Sequence, residues 1–277
     1  MTKIIKQEVG GTSIWFAPLL RGNEQNQEKK VCVIRPLSFC DVHKMGKLSQ
    51  EIYAHLQEDE KCFIHQHNGR YFSSVFNQKD ITYIGVFYDS KLIGMSYLRV
   101  CKDKERFLEE IPMTSVPEVT SHKPIATFGG DCVHPDYRGN GLNRLMINFR
   151  LHLAKKQGCY KTYSIIDRNN RWNMRPYFDN DFCMIDSGID PSDNGKIAFM
   201  CRRTGKQVDV KNSMKSVSFY HHEQVDYLLQ NGYVAHRFNI ETQHLVFSRR
   251  MPFQIRIRRN LNSFKIRTQR QAERIYL

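Results

Sequence analysis

The chain has 277 residues, of which 40% are hydrophobic and 12% aromatic, a composition that fits a folded protein with more than one small core. Its 42 Lys and Arg residues outnumber its 28 Asp and Glu residues, which gives a formal net charge of +14 at pH 7. The sequence has no apolar run long enough to predict a membrane span and no apolar core of a secretion signal. Its 8 cysteines are scattered, which favours reduced thiols, a cytoplasmic location and no metal site.

The first hundred residues alternate strand and helix patterns. We predict that residues 1–30 form an extension packed on the edge of the domain. A short strand, Val31–Arg35, precedes a capping-box pair, Ser38 and Asp41, that starts a helix with an apolar stripe at helical spacing. Residues 81–88 and 92–100 are β-branched and aromatic and flank a turn, so they predict a hairpin.

Residues 102–124 are predicted to be a long irregular insert with three prolines and several acidic residues. A loop of this length inside a compact domain is usually functional or disordered. Two interpretations stay open: a substrate lid that favours a cationic acceptor, or a surface loop.

The chain is organised around the stretch that follows a predicted strand, Ile125–Val133. A helical pattern begins near Leu142 and ends at Gly158, and two glycines, Gly139 and Gly141, lie in the turn before it. A helix N-terminus with nearby arginines favours binding of an anion, and a diphosphate is the ligand that we expect here. The alternative is an ordinary strand–turn–helix with convenient glycines.

This turn resembles the pyrophosphate loop of the GNAT acetyltransferases, whose motif reads Arg/Gln-x-x-Gly-x-Gly/Ala. Arg138, Gly141 and Asn143 fill its fixed positions, and Asn143 departs from the small residue expected last. The resemblance implies an α/β (α+β) fold: a mixed, mostly antiparallel sheet, splayed at its central strands and flanked by helices on both faces. It also implies acetyl-CoA as acyl-donor substrate, bound by the backbone of Asp131 and by Cys132, Val133, Arg138, Gly139, Asn140, Gly141, Leu142, Asn143, Arg144 and Asn170.

A second matching segment follows the next strand, Thr162–Ile166. The family often shows an Asn, a Tyr seven residues later and a closing Gly-Phe; Asn170, Tyr177 and Phe182 match, while Asp181 replaces the glycine. A proline in a helix interior loses a hydrogen bond, so Pro176 favours a helix that starts late, with Asn173 as its N-cap.

The resemblance implies acetyl transfer to a primary amine. It makes Tyr177 the general acid for the departing sulfur. Asp131 is the candidate base, directly or through water, because it lies near the splay, and the Val133 N–H is expected to polarise the thioester carbonyl. The plainer alternatives are a core tyrosine with a satisfied hydroxyl and an aspartate that points away from the substrate. Cys132 as a covalent nucleophile is disfavoured. The acceptor stays open among polyamines, aminoglycosides, protein N-termini and protein lysines.

The GNAT-like region covers residues 31–204, and residues 205–277 form a basic C-terminal extension with a helix near 223–230 and two strands. The sequence around 180–182 resembles that around 231–233, through either a duplicated helix–hairpin unit or chance, and we favour chance. Residues 249–277 are strongly basic, which predicts either a solvated face or an anionic partner. The alternative function is a catalytically weak GNAT-fold protein that binds nucleic acid, anionic membrane or an acidic protein through this tail.

Overall fold

The computed structural model describes residues 4–19, 30–63, 66–113, 117–190, 194–203 and 210–250. Across these ranges the chain forms β-strands that join into a single twelve-stranded sheet. The strands are β1 (Ile5–Val9), β2 (Thr12–Pro18), β3 (Val31–Pro36), β4 (Ile81–Tyr88), β5 (Lys91–Cys101), β6 (Ile125–Val133), β7 (Lys161–Asp167), β8 (Cys183–Ile189), β9 (Lys196–Arg203), β10 (Val210–Ser218), β11 (Tyr233–Asn239) and β12 (His244–Arg250).

Six α-helices connect these strands within the described ranges. They are α1 (Val42–Ala54), α2 (Gly69–Phe76), α3 (Lys104–Glu110), α4 (Leu142–Lys156), α5 (Arg171–Phe178) and α6 (His222–Gln230). The predicted capping box of Ser38 and Asp41 is present, and it starts a 3₁₀ turn that leads directly into α1. None of the helices in the described ranges is long and apolar enough to cross a membrane.

The sheet runs in the order β1-β2-β3-β4-β5-β6-β7-β9-β8-β11-β12-β10. Its strand pairs are antiparallel except β6 and β7, which pair in parallel from Ile125–Phe128 to Lys161–Ser164. Beyond that point β6 and β7 continue for several residues without pairing, so the sheet is splayed at its centre. The predicted fold class, a mostly antiparallel sheet with central splay and flanking helices, is confirmed.

The two faces of the sheet carry separate apolar clusters. Met95 of β5 and its partner Cys132 of β6 lie in a cluster with the buried residues of α1 and α2. Leu98 and its partner Phe128 lie instead in the larger cluster with α4, α5 and α6. Because adjacent strand residues alternate between faces, this division places the helices on both sides of the sheet.

Two expectations from the sequence are corrected by the structure. The insert at 102–124 is not irregular throughout, since it contains α3. The Asp103 side chain caps that helix by accepting a hydrogen bond from the Arg106 N–H at 2.8 Å, and Phe107 is fully buried. The C-terminal region also contains a strand, β10, that the sequence pattern did not predict.

The C-terminal strands and helix repeat the architecture that precedes them. β7, α5, β8 and β9 form a β-α-β-β unit in which β9 lies between β7 and β8, and β10, α6, β11 and β12 form a second unit with the same order. The two helices start 51 positions apart, after Asn170 (φ −83°, ψ 69°) and His221 (φ −80°, ψ 69°).

The register of the second and third strands also agrees in the two units, whereas β10 and β12 have a register shift between Val210 and Met214 that β7 and β9 lack. Each second strand shifts register at the same offset, between Met184 and Asp186 in the first unit and between Ala235 and Arg237 in the second. Met184 and Ala235 occupy equivalent positions and pair with each other where the units meet. The matching architecture therefore favours a duplicated unit over the chance resemblance that we preferred from the sequence. The predicted basic tail beyond residue 250 lies outside the described residues.

Candidate functional site

A cleft of about 1190 Å³ opens where β6 and β7 separate. The loop between β6 and α4 forms one end of it, and the first turns of α5 and residues from α1, α2, β4 and β5 form its sides. Of the residues predicted to bind a cofactor, the following line the cleft: Cys132, Val133, Arg138, Gly139, Gly141, Leu142, Asn143, Arg144 and Asn170.

Asn140 is the predicted binding residue that does not line the cleft. Its side chain is buried and donates a hydrogen bond to the Tyr137 carbonyl at 3.0 Å, so it holds the loop together from within. This loop contact leaves the neighbouring glycines to face the cleft.

The turn before α4 has the backbone geometry expected of an anion-binding loop. Gly139 and Gly141 have φ values of 77° and 71°, in the left-handed region that favours glycine. The Leu145 N–H is bonded to the Gly141 carbonyl at 3.0 Å, so the three preceding N–H groups belong to the helix terminus and have no partner within the helix. Those N–H groups and the cleft-lining arginines Arg138 and Arg144 make this end of the cleft electropositive.

Asn143, the departure from the family motif, does not obstruct the loop. Its Nδ2 donates to the Oδ1 of Asn173 at 2.7 Å, which directs the side chain toward α5. The larger residue thus ties the start of α4 to the start of α5.

The unpaired edge of β6 offers backbone groups to the cleft. The His134 N–H donates to the Ile93 carbonyl of β5 at 2.9 Å. Because hydrogen-bonding groups alternate between the two edges of a strand, the N–H of the preceding residue, Val133, points away from β5 and toward the splay. A donor is therefore present at the position that the resemblance assigns to thioester polarisation.

A bulge shifts the pairing of β5 and β6 just before that edge. Met95 pairs with Cys132 while Tyr97 pairs with Gly129, so two residues of β6 stand opposite one residue of β5. Gly130 has a φ of 64°, which suits a glycine at a bulge. The register shift therefore places a bulge of β6 next to Gly129.

Asp131 and Tyr177, the two predicted catalytic residues, are brought into contact at the bulge. The Tyr177 hydroxyl donates to Asp131 Oδ2 at 2.6 Å, and Arg150 Nη2 of α4 donates to Asp131 Oδ1 at 2.5 Å. Ser164 Oγ lies 3.0 Å from both the Tyr177 hydroxyl and the Phe128 carbonyl, at the point where the pairing of β6 and β7 ends. Both carboxylate oxygens of Asp131 thus have partners.

Burial governs the protonation of this pair. It raises the pKa of the Asp131 carboxyl, and the Arg150 guanidinium and the Tyr177 hydroxyl oppose that rise by favouring the ionised form. Burial, together with the negative charge of Asp131, raises the pKa of Tyr177 far above neutral pH. Tyr177 is fully buried and does not line the cleft, whereas Asp131 does. Asp131 is therefore the one of the two that lines the cleft, but its side chain is only 3% exposed and its carboxylate is enclosed by Tyr177 and Arg150.

Helix α5 starts earlier than predicted. Asn170, and not Asn173, is its N-cap, because the Asn170 side chain accepts a hydrogen bond from the Asn173 N–H at 3.1 Å. Pro176 consequently lies inside the helix. Asp181 has a φ of 62°, so this aspartate holds the left-handed conformation for which the family motif uses glycine.

Several residues of the site were missed from the sequence. Arg150 occupies a position in the apolar stripe of α4, four residues after Met146, and a charged residue on that stripe was the signal. The cleft is also lined by aromatic residues of a region that we left unassigned: His67, Tyr71 and Phe72, with Tyr83 and Tyr97 of the predicted hairpin.

Comparison with known proteins adds a family match and similar structures. A putative acetyltransferase, yncA, from Salmonella typhimurium, solved with acetyl-CoA, is 12% identical with a TM-score of 0.46, over 64% of this chain and 96% of that one. The ribosomal-protein-S18-alanine N-acetyltransferase from Escherichia coli is 14% identical with a TM-score of 0.44, over 65% and 97%. Arabidopsis thaliana NAA60 in complex with acetyl-CoA is 16% identical with a TM-score of 0.48, over 62% and 99%.

A comparison with curated protein sequences gives no match. The model of the acetyltransferase (GNAT) family matches residues 49–178, a range that runs from α1 to the end of α5 and includes the cleft-lining loop. Over those residues the chain matches the GNAT acetyltransferase domain.

Proposed function

We propose that this protein is an N-acyltransferase that uses acetyl-CoA and transfers its acetyl group directly to a primary amine. The observation that carries this proposal is one continuous cleft. It joins the electropositive N-terminus of α4 to the unpaired edge of β6, so one extended ligand can reach both. A CoA thioester has the required shape, with a diphosphate at one end and a reactive carbonyl at the other.

In this proposal the diphosphate binds the first N–H groups of α4 with Arg138 and Arg144. The pantetheine arm runs along the edge of β6, and the thioester carbonyl accepts a hydrogen bond from the Val133 N–H. That bond strengthens as charge develops on the carbonyl oxygen, which lowers the barrier to attack. Asn170, at the start of α5, lies on the opposite side of the same cleft.

The amine nitrogen attacks the thioester carbon, and the C–S bond then breaks as the amide forms. We assign the proton released by the amine to Asp131, directly or through water, since this residue lines the cleft and burial raises the pKa of its carboxyl, which makes it a stronger base than an exposed one. The sulfur leaves as a thiolate and takes a proton from water. Tyr177, which we expected from the sequence to be the general acid, instead acts by positioning Asp131 through its hydroxyl, because that hydroxyl is covered by protein.

The test of the catalytic assignment is Tyr177→Phe. Acetyl-CoA should still raise the melting temperature of this variant, while its turnover should fall. Loss of the Tyr177 hydrogen bond removes a stabiliser of the ionised carboxylate, so the acidic limb of the pH–rate profile should move to higher pH.

A matched buried tyrosine, Tyr163 on the α3 side of the sheet, provides the control as Tyr163→Phe. Unchanged turnover and an unmoved acidic limb in Tyr177→Phe would remove Tyr177 and its contact with Asp131 from the mechanism.

A further inference from the structure

One side of the cleft is a continuous row of aromatic rings, which we call the aromatic row: Tyr97, Tyr83, Phe72, Tyr71 and His67. All five line the cleft. Successive ring centroids lie 6.1, 6.2, 5.5 and 3.6 Å apart, and the His67 and Tyr71 rings are stacked with an interplanar angle of 7°. Tyr71 is 41% exposed and forms the outer part of the row, while Phe72 and Tyr83 are almost fully buried.

The inner end of the aromatic row meets the reactive end of the cleft. The Tyr97 ring lies directly against Gly129, where a Cβ would collide with it, so the bulge of β6 needs glycine for this contact. Asp131 follows two residues later. A group packed on the aromatic row can therefore extend toward the bulge at residues 129–131 without leaving the cleft.

The outer part of the row is held in place by a close helix contact. A Cβ on Gly46 of α1 would lie 2.6 Å from the Gly69 backbone nitrogen of α2, so the two helices approach closely at this point. Tyr71 and Phe72 lie two and three residues after Gly69, in the first turn of α2. The row is thus part of the packed structure and needs no rearrangement to form.

The charges around the aromatic row do not favour a polycation. Glu110 is paired with Arg99 at 3.0 Å and accepts a hydrogen bond from the Tyr97 hydroxyl at 3.1 Å. Asp131 is paired with Arg150. Burial raises the pKa of Tyr83 to about 12, so its hydroxyl stays neutral. Glu60 is the carboxylate that lines this side of the cleft without an ion pair among the described residues.

Resting on the proposed function, we propose that the acceptor is a primary amine joined to an aromatic or large apolar group, and that this group packs against the aromatic row. Polyamines and aminoglycosides carry several ammonium groups. Packing them against the aromatic row would remove water from these charges, and few free carboxylates are present there to compensate. Two sources share the favoured chemistry: a small arylalkylamine and a peptide N-terminus whose first side chain is apolar.

The test measures acetyl-CoA-dependent thiol release by the full chain with matched acceptors. We expect kcat/KM for 2-phenylethylamine to exceed that for ethanolamine and for spermidine by about tenfold or more, since burial of a phenyl ring is worth at least ~1.4 kcal/mol. Two short peptides, one starting with Phe and one starting with Asp, separate the two sources. A higher kcat/KM for the Phe peptide than for 2-phenylethylamine indicates a peptide acceptor, and a lower value indicates a small amine.

Two variants test the aromatic row itself. Tyr71→Ala removes a half-exposed ring, and Phe72→Ala removes a buried one. Each variant should reduce the ratio of kcat/KM for 2-phenylethylamine to kcat/KM for ethanolamine by about fivefold, an effect of ~1 kcal/mol. Phe76→Ala is the matched control, because Phe76 stacks on Tyr83 at 5.6 Å but does not line the cleft. Phe76→Ala should leave the preference unchanged.

The outcome also separates this inference from the proposed function. If acetyl-CoA binds but spermidine or ethanolamine equals or exceeds 2-phenylethylamine, the aromatic-acceptor inference is overturned and the proposed function stands. If none of the amines is acetylated, 2-phenylethylamine is titrated into the CoA complex by calorimetry. Binding of this amine supports the inference, and absence of binding overturns it. Absence of acetyl-CoA binding by the folded chain overturns both.

Discussion

The contact between Arg150 and Asp131 gives the sharpest prediction for stability. Arg150 is fully buried in the apolar side of α4, and its guanidinium lies over the Phe128 ring at 4.5 Å. Nη2 donates to Asp131 Oδ1 at 2.5 Å, and Nη1 lies 3.2 Å from the Tyr97 carbonyl and 3.4 Å from the Gly129 carbonyl. One side chain thus binds the carboxylate and both strands at the bulge.

Arg150→Met removes the charge and these donors while retaining an unbranched side chain. It leaves the Asp131 carboxylate buried with only the Tyr177 hydroxyl as partner. Loss of one member of a buried ion pair costs ~3–5 kcal/mol, a large part of the ~5–15 kcal/mol that stabilises a folded protein. We expect urea unfolding to show a loss in this range.

The double variant Arg150→Met with Asp131→Asn removes both charges, and it should recover part of the loss, because the uncompensated charge is then absent. Arg138→Met, on the exposed loop, is the control and should change stability by less than ~0.5 kcal/mol. A loss below ~1 kcal/mol in Arg150→Met, or no recovery in the double variant, would refute the assignment of this contact as a buried ion pair.

Three further predictions follow from single residues. Asp181→Gly should raise stability by ~0.5–1 kcal/mol in thermal unfolding, since it relieves a left-handed aspartate and loses only a half-exposed contact with Arg202; a lower melting temperature would contradict this. The pKa of Asp41 is lowered to about 2, chiefly by hydrogen bonds from Arg35, so its contribution is present above pH ~4 and lost as pH falls toward 2. Asp41→Asn should therefore cost ~2 kcal/mol at pH 7 and less at pH 3 by urea titration, and a cost independent of pH would count against it. Asn143→Ala should lower stability by ~1 kcal/mol and leave acetyl-CoA affinity within about threefold, because the helix N–H groups remain; a tenfold loss in calorimetry would instead indicate that Asn143 contacts the cofactor.

The loop before α4 could be predicted from the sequence because its signals are local. Glycines at Gly139 and Gly141 suit left-handed backbone, and the apolar spacing from Leu142 defines the helix. Two such signals competed at α5. A proline normally marks a helix start, but the Asn170 side chain caps the helix earlier, and the capping bond decided the boundary.

The contacts that complete the site depend on tertiary packing. Nothing in the sequence near Arg150 indicates that its partner is Asp131, nineteen residues earlier on β6. The aromatic row likewise assembles from α2 and two strands, although the Asn68 cap and the apolar spacing of Phe72 and Phe76 could have revealed α2 itself.

The internal repeat was only faintly visible in the sequence, for a different reason. The short resemblance between residues 180–182 and 231–233 could equally arise by chance, and the equivalence of the two β-α-β-β units is carried by backbone features. These are the matching dihedral angles at Asn170 and His221 and the matching register shifts after Met184 and Ala235.

The measurement that most directly tests the proposed site is a crystal structure of the full chain with acetyl-CoA. We predict the diphosphate at the N-terminus of α4, beside Arg138 and Arg144, and the thioester carbonyl within hydrogen-bond distance of the Val133 N–H. Acetyl-CoA bound elsewhere, or a thioester that approaches β6 without contacting Val133, would contradict the account.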